Sequence, residues 1–188
     1  MSEEKDIINL PAGRYRTIHA SPMASGGMRY IAPIVEPIFE IDDYCQLLHV
    51  LSSATEKDEV VIKLASPGGS IEIGIMICNA IFNSKAQVLT QVTGIAASIA
   101  AVIWCCGKKR SISPTATLMF HMPSGFAGGK TADMEEQAGF FQNYFKDLLK
   151  KITANILTEE EYIDMVNGRR DIFISYADLK ARLVGKDS

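Results

Sequence analysis

Val60-Val61-Ile62-Lys63-Leu64-Ala65-Ser66-Pro67-Gly68-Gly69 runs through Ser70 into Ile71-Glu72-Ile73-Gly74-Ile75-Met76-Ile77-Cys78, and this junction decides the fold. The β-branched run reads as a strand, and Ser-Pro-Gly-Gly as the turn that ends it. The apolar stretch 71–82 leaves that turn as a helix, apolar nearly all round and therefore buried on several sides. The next stretch repeats the pattern. Residues 88–92 form a strand broken by Gly94, and a further apolar helix starts near Ser98. Upstream, 30–35 reads as a strand and 37–54 as a helix. Strands that alternate with helices in this way predict an α/β domain with a largely parallel sheet.

Downstream, 117–122 reads as a strand, followed by a glycine-bearing segment to Gly129. A long helix is predicted from about Thr131, with Phe141, Tyr144, Phe145, Leu148, Leu149 and Ile152 on one stripe. Thr158 with Glu161 fits a capping box for a second helix. A short strand at 172–174 then leads to a last helix with its own box, Ser175 and Asp178. Residues 1–28 differ, because Pro11, Gly13, Pro22, Gly26 and Gly27 interrupt any period. They read as an extended N-terminal arm, and 29–188 as one domain.

The chain has 188 residues, enough to bury a core as a single domain. Its net charge is −3, and the longest basic run is Lys108-Lys109-Arg110. That run is too short to track phosphates, so nucleic acid is excluded as a partner. The N-terminus carries no signal-peptide pattern. The most apolar stretch, 95–106, is shorter than the roughly 20 residues a membrane span needs, so it reads as a buried helix. Cys45, Cys78, Cys105 and Cys106 lack zinc spacing and sit among apolar neighbours. They read as core residues in a reducing, cytoplasmic compartment rather than as a catalytic Cys–His pair. No metal and no cofactor is implied.

Ser98 follows a strand within Gly94-Ile-Ala-Ala-Ser98 and opens a helix, flanked by small residues. It reads either as an ordinary N-cap or as a nucleophile at a helix N-terminus, where free N–H groups and the helix dipole meet the substrate. Of three histidines, His121 ends an apolar strand. It is either a core histidine or a general base. Asp171 either orients that imidazole or pairs with Arg169 and Arg170. The Gly68-Gly69 turn and the residue after Ser98, Ile99, offer backbone N–H groups to an oxyanion. A hydroxyl, a base, a carboxylate and two donors together make the set for acyl transfer. The order Ser-His-Asp and the absence of Gly-x-Ser-x-Gly disfavour an α/β-hydrolase.

Four segments carry a resemblance: Ser66-Pro-Gly-Gly69, Gly94-Ile-Ala-Ala-Ser98, His121-Met-Pro123 and Arg170-Asp171-Ile-Phe-Ile-Ser175. In this order and spacing they resemble the Clp protease proteolytic subunit (ClpP) family, over most of the chain from about Tyr30. The resemblance implies a crotonase-like fold of repeated βαβ units with a projecting strand–helix handle at about 124–153. It implies Ser98 as nucleophile, His121 as base, Asp171 as orienting carboxylate, and oxyanion donors at the Gly69 and Ile99 N–H groups. Gly68, Ser124, Gly125 and Phe126 would line the substrate groove, and Arg170 would make ring-to-ring contacts.

The same resemblance implies heptameric rings stacked in pairs, an AAA+ unfoldase as partner, and unfolded proteins or short peptides as substrates. Ile99 and Met122 stand where the family commonly has Met and Gln. Residues 20–28 are hardly helical, where the family usually has an axial loop and an amphipathic helix. Three other readings stand beside the main one. They are a processing protease without an AAA+ partner, an inactive ring subunit, and an acyl-CoA enzyme with the same oxyanion geometry.

Overall fold

The strand read from the β-branched run is central: β3 (Glu59–Leu64) lies between β2 (Met28–Ile34) and β4 (Gln87–Val92) and pairs in parallel with both. The computed structural model describes residues 17–122 and 131–184. Its larger sheet has the order β1-β2-β3-β4-β6, with β1 (His19–Pro22) antiparallel to β2 and β6 (Lys109–Ile112) parallel to β4. The second sheet has the order β5-β7-β8. Here β5 (Ile95–Ala97) runs parallel to β7 (Thr117–Phe120), and β8 (Ile172–Ser175) antiparallel to it.

Three helices follow strands as the alternation predicts: α1 (Cys45–Ser53), α2 (Ile71–Asn83) and α3 (Ile99–Cys105). Parallel strands covered by helices lose both faces to the core. Accordingly Val60, Ile62 and Leu64 are buried with Leu51 of α1, Ile77 and Ile81 of α2, and Ile103 and Trp104 of α3. The Trp104 indole N–H donates to the Ser111 carbonyl at 2.9 Å, fastening α3 to β6.

The long helix is α4 (Thr131–Thr153), where Phe145 and Leu149 are buried and Tyr144 is exposed. The capping box of α5 (Glu159–Val166) is formed in both directions, between Thr158 and Glu161. Ser175 and Asp178 exchange the same bonds at the start of α6 (Tyr176–Val184). Arg182 of α6 grips both Glu161 oxygens, at 2.7 and 2.8 Å, and holds that carboxyl below its ordinary range. Among the described residues no helix is long and apolar enough to cross a membrane.

Four stretches differ from the sequence reading or add to it. The helix predicted over 37–54 begins only with a 3-10 turn at Ile41–Tyr44, because Ile38 is held extended. Its N–H donates to the Gly68 carbonyl at 2.8 Å, and its carbonyl accepts from Ser70 at 2.6 Å. Residues 95–97 and 109–112 are strands, the second at a sheet edge with two exposed cations in place of an apolar alternation. Within the N-terminal arm, His19–Pro22 pair with Met28–Ile31 around a turn at Gly26.

Asp58 fastens that hairpin to the body of the domain. Its buried carboxylate accepts from the Met28 N–H, the Thr55 N–H and the Thr55 hydroxyl, each at 2.7 Å. The Met28 bond, then those from Thr55, hold its pKa below the ordinary value. A depressed folded pKa contributes stability that is present above the unfolded value, about 3.9, and is lost as pH falls through the folded one. Asp58→Ala is therefore expected to cost about 2–3 kcal/mol at neutral pH. The gap between urea melts of the two proteins should begin to narrow below about pH 4 and shrink further as the pH falls.

Candidate active site

The turn after β3 is tied down on three sides. The buried Ser66 hydroxyl donates to the Glu36 carbonyl at 2.6 Å and accepts from the Gly68 N–H at 3.1 Å. The Ser66 carbonyl accepts from the Ala97 N–H at 2.9 Å, which brings the end of β5 against the turn. The next residue, Ser98, donates its N–H to the Met119 carbonyl of β7 at 2.9 Å.

Ser98 has φ 56° and ψ −128°, and it is the one non-glycine with positive φ among the described residues. Such a conformation is strained for an L residue and persists where surrounding bonds over-determine it. Its consequence is chemical. Ser98 stands at the N-cap position of α3, yet its hydroxyl caps no N–H. Ser70 shows the ordinary alternative at the start of α2, accepting from the Ile73 N–H at 3.3 Å. The N-cap reading of Ser98 therefore fails, and its hydroxyl is left to the groove beside it.

That groove, of about 310 Å³, is lined by Ser98, His121, Gly68 and Gly69, with apolar walls from Pro37, Phe39, Pro67 and Ile71. Gly68 has φ 95°, and a Cβ there would lie 2.7 Å from the Ala97 carbonyl oxygen and 2.8 Å from the Ser98 Cβ. Glycine is what lets the turn approach the serine. In the bridge with Ile38, the Gly68 carbonyl and Ser70 N–H face Ile38. Backbone groups alternate along an extended segment, so the Gly69 N–H faces the other way. Neither it nor the Ile99 N–H, in the first turn of α3, has an acceptor among the described residues.

His121 is half-buried and lines the groove rather than packing in the core. It follows Phe120, whose partner across the antiparallel β7–β8 pair is Ile172. His121 directly follows that pair on β7 and Asp171 directly precedes it on β8. Asp171 is exposed, and the arginines before it are engaged elsewhere: Arg169 and Arg170 bond the two oxygens of Asp164, at 3.2 and 3.0 Å. The register thus gathers Ser98, His121 and Asp171 at the ends of β5, β7 and β8. In the single chain no hydrogen bond joins the three side chains.

The cysteines stay outside this groove. Burial, then the neighbouring Cys106, pushes the Cys105 thiol well above its ordinary value. A hydrogen bond with Cys106, then burial, raises that of Cys78. Thiols so protonated are poor nucleophiles, which removes the Cys–His alternative for these two. Ser124, Gly125 and Phe126, expected in the groove, lie outside the described residues. Phe39 was not singled out by sequence. Phe39 reaches the groove because Ile38, buried and bridged, has an extended backbone that turns the next side chain outward.

The Clp protease family model matches residues 37–182, from the first groove residue to the last helix. The chain belongs to the Clp protease family. It is similar to an ATP-dependent Clp protease proteolytic subunit of Bacteroides thetaiotaomicron, 33% identical over 149 residues, which cover 75% of this chain and 67% of that one. It is also similar to the proteolytic subunit 1 of Shouchella clausii, 34% identical over 137 residues (72% and 70% covered). That of Streptomyces avermitilis is 33% identical over 129 residues (68% and 59%). The fold is accordingly the crotonase-like one of this family, and the chain is a ClpP-type serine endopeptidase.

Proposed function

We propose that Ser98 is the nucleophile, His121 the general base and Asp171 the carboxylate that orients it, with the Gly69 and Ile99 N–H groups as oxyanion donors. The observation that carries this is the Ser98 backbone, which turns the hydroxyl away from its helix and sets it beside Gly68 and His121. The Ser98 oxygen attacks the peptide carbonyl carbon while its proton passes to His121. The two N–H groups take the negative oxygen, and the C–N bond breaks as His121 returns the proton to the amine. Water, deprotonated by the same imidazole, then hydrolyses the acyl-enzyme.

The working particle is a homo-oligomer of heptameric rings stacked in pairs in the cytoplasm, with Arg170 at the ring-to-ring contact, acting on unfolded proteins or short peptides. Assembly draws Asp171 and His121 into the hydrogen bonds that the single chain lacks. An AAA+ unfoldase supplies the substrate. One observation favours a second reading, a processing protease without that partner: the residues just before β2 form an exposed strand and turn rather than a helix.

The test is covalent labelling of the assembled particle with a fluorophosphonate, peptide mapping of the adduct, and light scattering for particle mass. The adduct is expected on Ser98 alone. A folded particle that takes no label, or takes it elsewhere, overturns the assignment. Co-purification with an ATPase separates the two readings.

A further inference from the structure

The two oxyanion donors belong to segments far apart in sequence, and their spacing must hold to within about half an ångström to serve one oxygen. The Gly69 donor is anchored by the Ile38 bridge and continues directly into the first turn of α2, which Ser70 caps. The Gly74 N–H closes that turn on the Ser70 carbonyl at 3.1 Å. The Ile99 donor opens α3, and its side chain is almost wholly buried, 1% exposed. The two segments meet at one point. A Cβ on Gly74 would lie 2.0 Å from the Ile99 Cγ1 and 2.9 Å from its Cδ1.

Glycine is a poor residue for a helix interior, and Gly74 has no positive φ to require it. What requires it is Ile99, whose branched side chain occupies the space a methyl would take. Isoleucine in a helix has one strongly preferred χ1 rotamer, so it acts as a stiff strut rather than an adaptable filler. On the opposite side of the same corner, Gly68 lies against the Ala97 carbonyl and the Ser98 Cβ. The corner is clamped from both sides.

We propose that Gly74 is a positioning residue for catalysis: its missing side chain is the socket for Ile99, and this contact sets the distance between the Gly69 and Ile99 N–H groups. The inference rests on the serine peptidase reading above and adds to it the part that fixes the oxyanion geometry. A methyl at residue 74 would lift the start of α3. It would move the Ile99 N–H, and with it the Ser98 corner, while leaving the groove walls Pro37, Phe39 and Pro67 where they are.

The experiment compares wild type, Gly74→Ala, Ile99→Ala and the double variant as assembled particles, by kcat and KM on a fluorogenic peptide and by thermal melting. Gly74→Ala is expected to lower kcat by about 10²- to 10³-fold, the scale of losing one oxyanion donor. KM should change by less than about threefold, since the groove walls stay in place. It should also melt earlier, whereas an unhindered Gly-to-Ala change in a helix melts later. Ile99→Ala, which introduces no clash, should lower kcat by only about tenfold by loosening the donor. The double variant, with the strut cut back, should recover to within about tenfold of wild type.

A Gly74→Ala particle with kcat within about threefold of wild type overturns the proposal, as does a folded double variant that stays about 10²-fold down. If Gly74→Ala fails to assemble, recovery in the double variant supports the socket and its absence refutes it. A wild-type particle that neither hydrolyses peptide nor takes the fluorophosphonate removes the reaction, and this role with it. An active wild type with an unaffected variant removes the role alone.

Discussion

Ser98→Ala is expected to lower peptide hydrolysis by about 10⁴- to 10⁶-fold and to abolish fluorophosphonate labelling, with the fold left intact. Removing a working N-cap serine costs about 1 kcal/mol. The Ser98 hydroxyl caps nothing, so its loss should change the unfolding free energy by no more than about 0.5 kcal/mol. Ser98→Gly should go further. Glycine adopts φ 56° and ψ −128° without strain, and relief of such a conformation is worth on the order of 1 kcal/mol or more. The glycine variant should therefore be inactive and yet melt above wild type. Near-normal turnover in either variant would overturn the assignment of the nucleophile. Loss of activity with a matching loss of stability would return Ser98 to a structural role.

How far the fold could be read in advance depended on where each stretch finds its hydrogen bonds. The junction from Val60 to Cys78 was legible because its strand, turn and helix each follow from local composition. Both capping boxes were legible for the same reason, since their partners lie three residues apart. The start of α1 was not. Ile38 is kept from helix by the Gly68 carbonyl and the Ser70 N–H, which come from a turn far along the chain. A propensity argument has no access to such partners. The edge strands β1 and β6 were missed because they are short and exposed and bury no alternating apolar face.

The site shows the same division. Ser98 carried a local signal, a small-residue corner before a helix, but that signal could not separate a cap from a nucleophile. Its backbone conformation removes the cap reading, and this is held by the Ser98 N–H bond to the Met119 carbonyl and by the Ala97 bond to the turn at Ser66. Gly68 was legible as a turn glycine. Its second role, leaving room for Ser98, depends on the approach of β5, which belongs to the other sheet. Two sheets thus contribute to one corner. The larger supplies the turn at Gly68 and Gly69, and the smaller carries the serine, the histidine and the aspartate at its strand ends.

Asp171→Asn is the second large effect expected, a fall in kcat of about 10⁴-fold with KM little changed. Register rather than a side-chain contact relates the two residues. Phe120 faces Ile172 across the antiparallel pair, so the residues just beyond that pair, His121 and Asp171, leave the sheet together. A carboxylate in that place can accept from one imidazole nitrogen, fix the tautomer, and stabilise the imidazolium formed when Ser98 gives up its proton. Asparagine keeps the shape and loses the charge. The rival reading, that Asp171 neutralises Arg169 and Arg170, is weakened by Asp164, which already holds both guanidinium groups. Because Asp171 is exposed and makes no such pair, the substitution should change stability by less than about 0.5 kcal/mol. Rate and unfolding should therefore separate cleanly in this variant. Asp164→Asn is the matched control, since it frees both arginines and leaves the histidine unchanged, and light scattering shows whether particle mass is kept. If Asp171→Asn turned over peptide at the wild-type rate in an intact particle, the orienting carboxylate would have to be sought on another strand end.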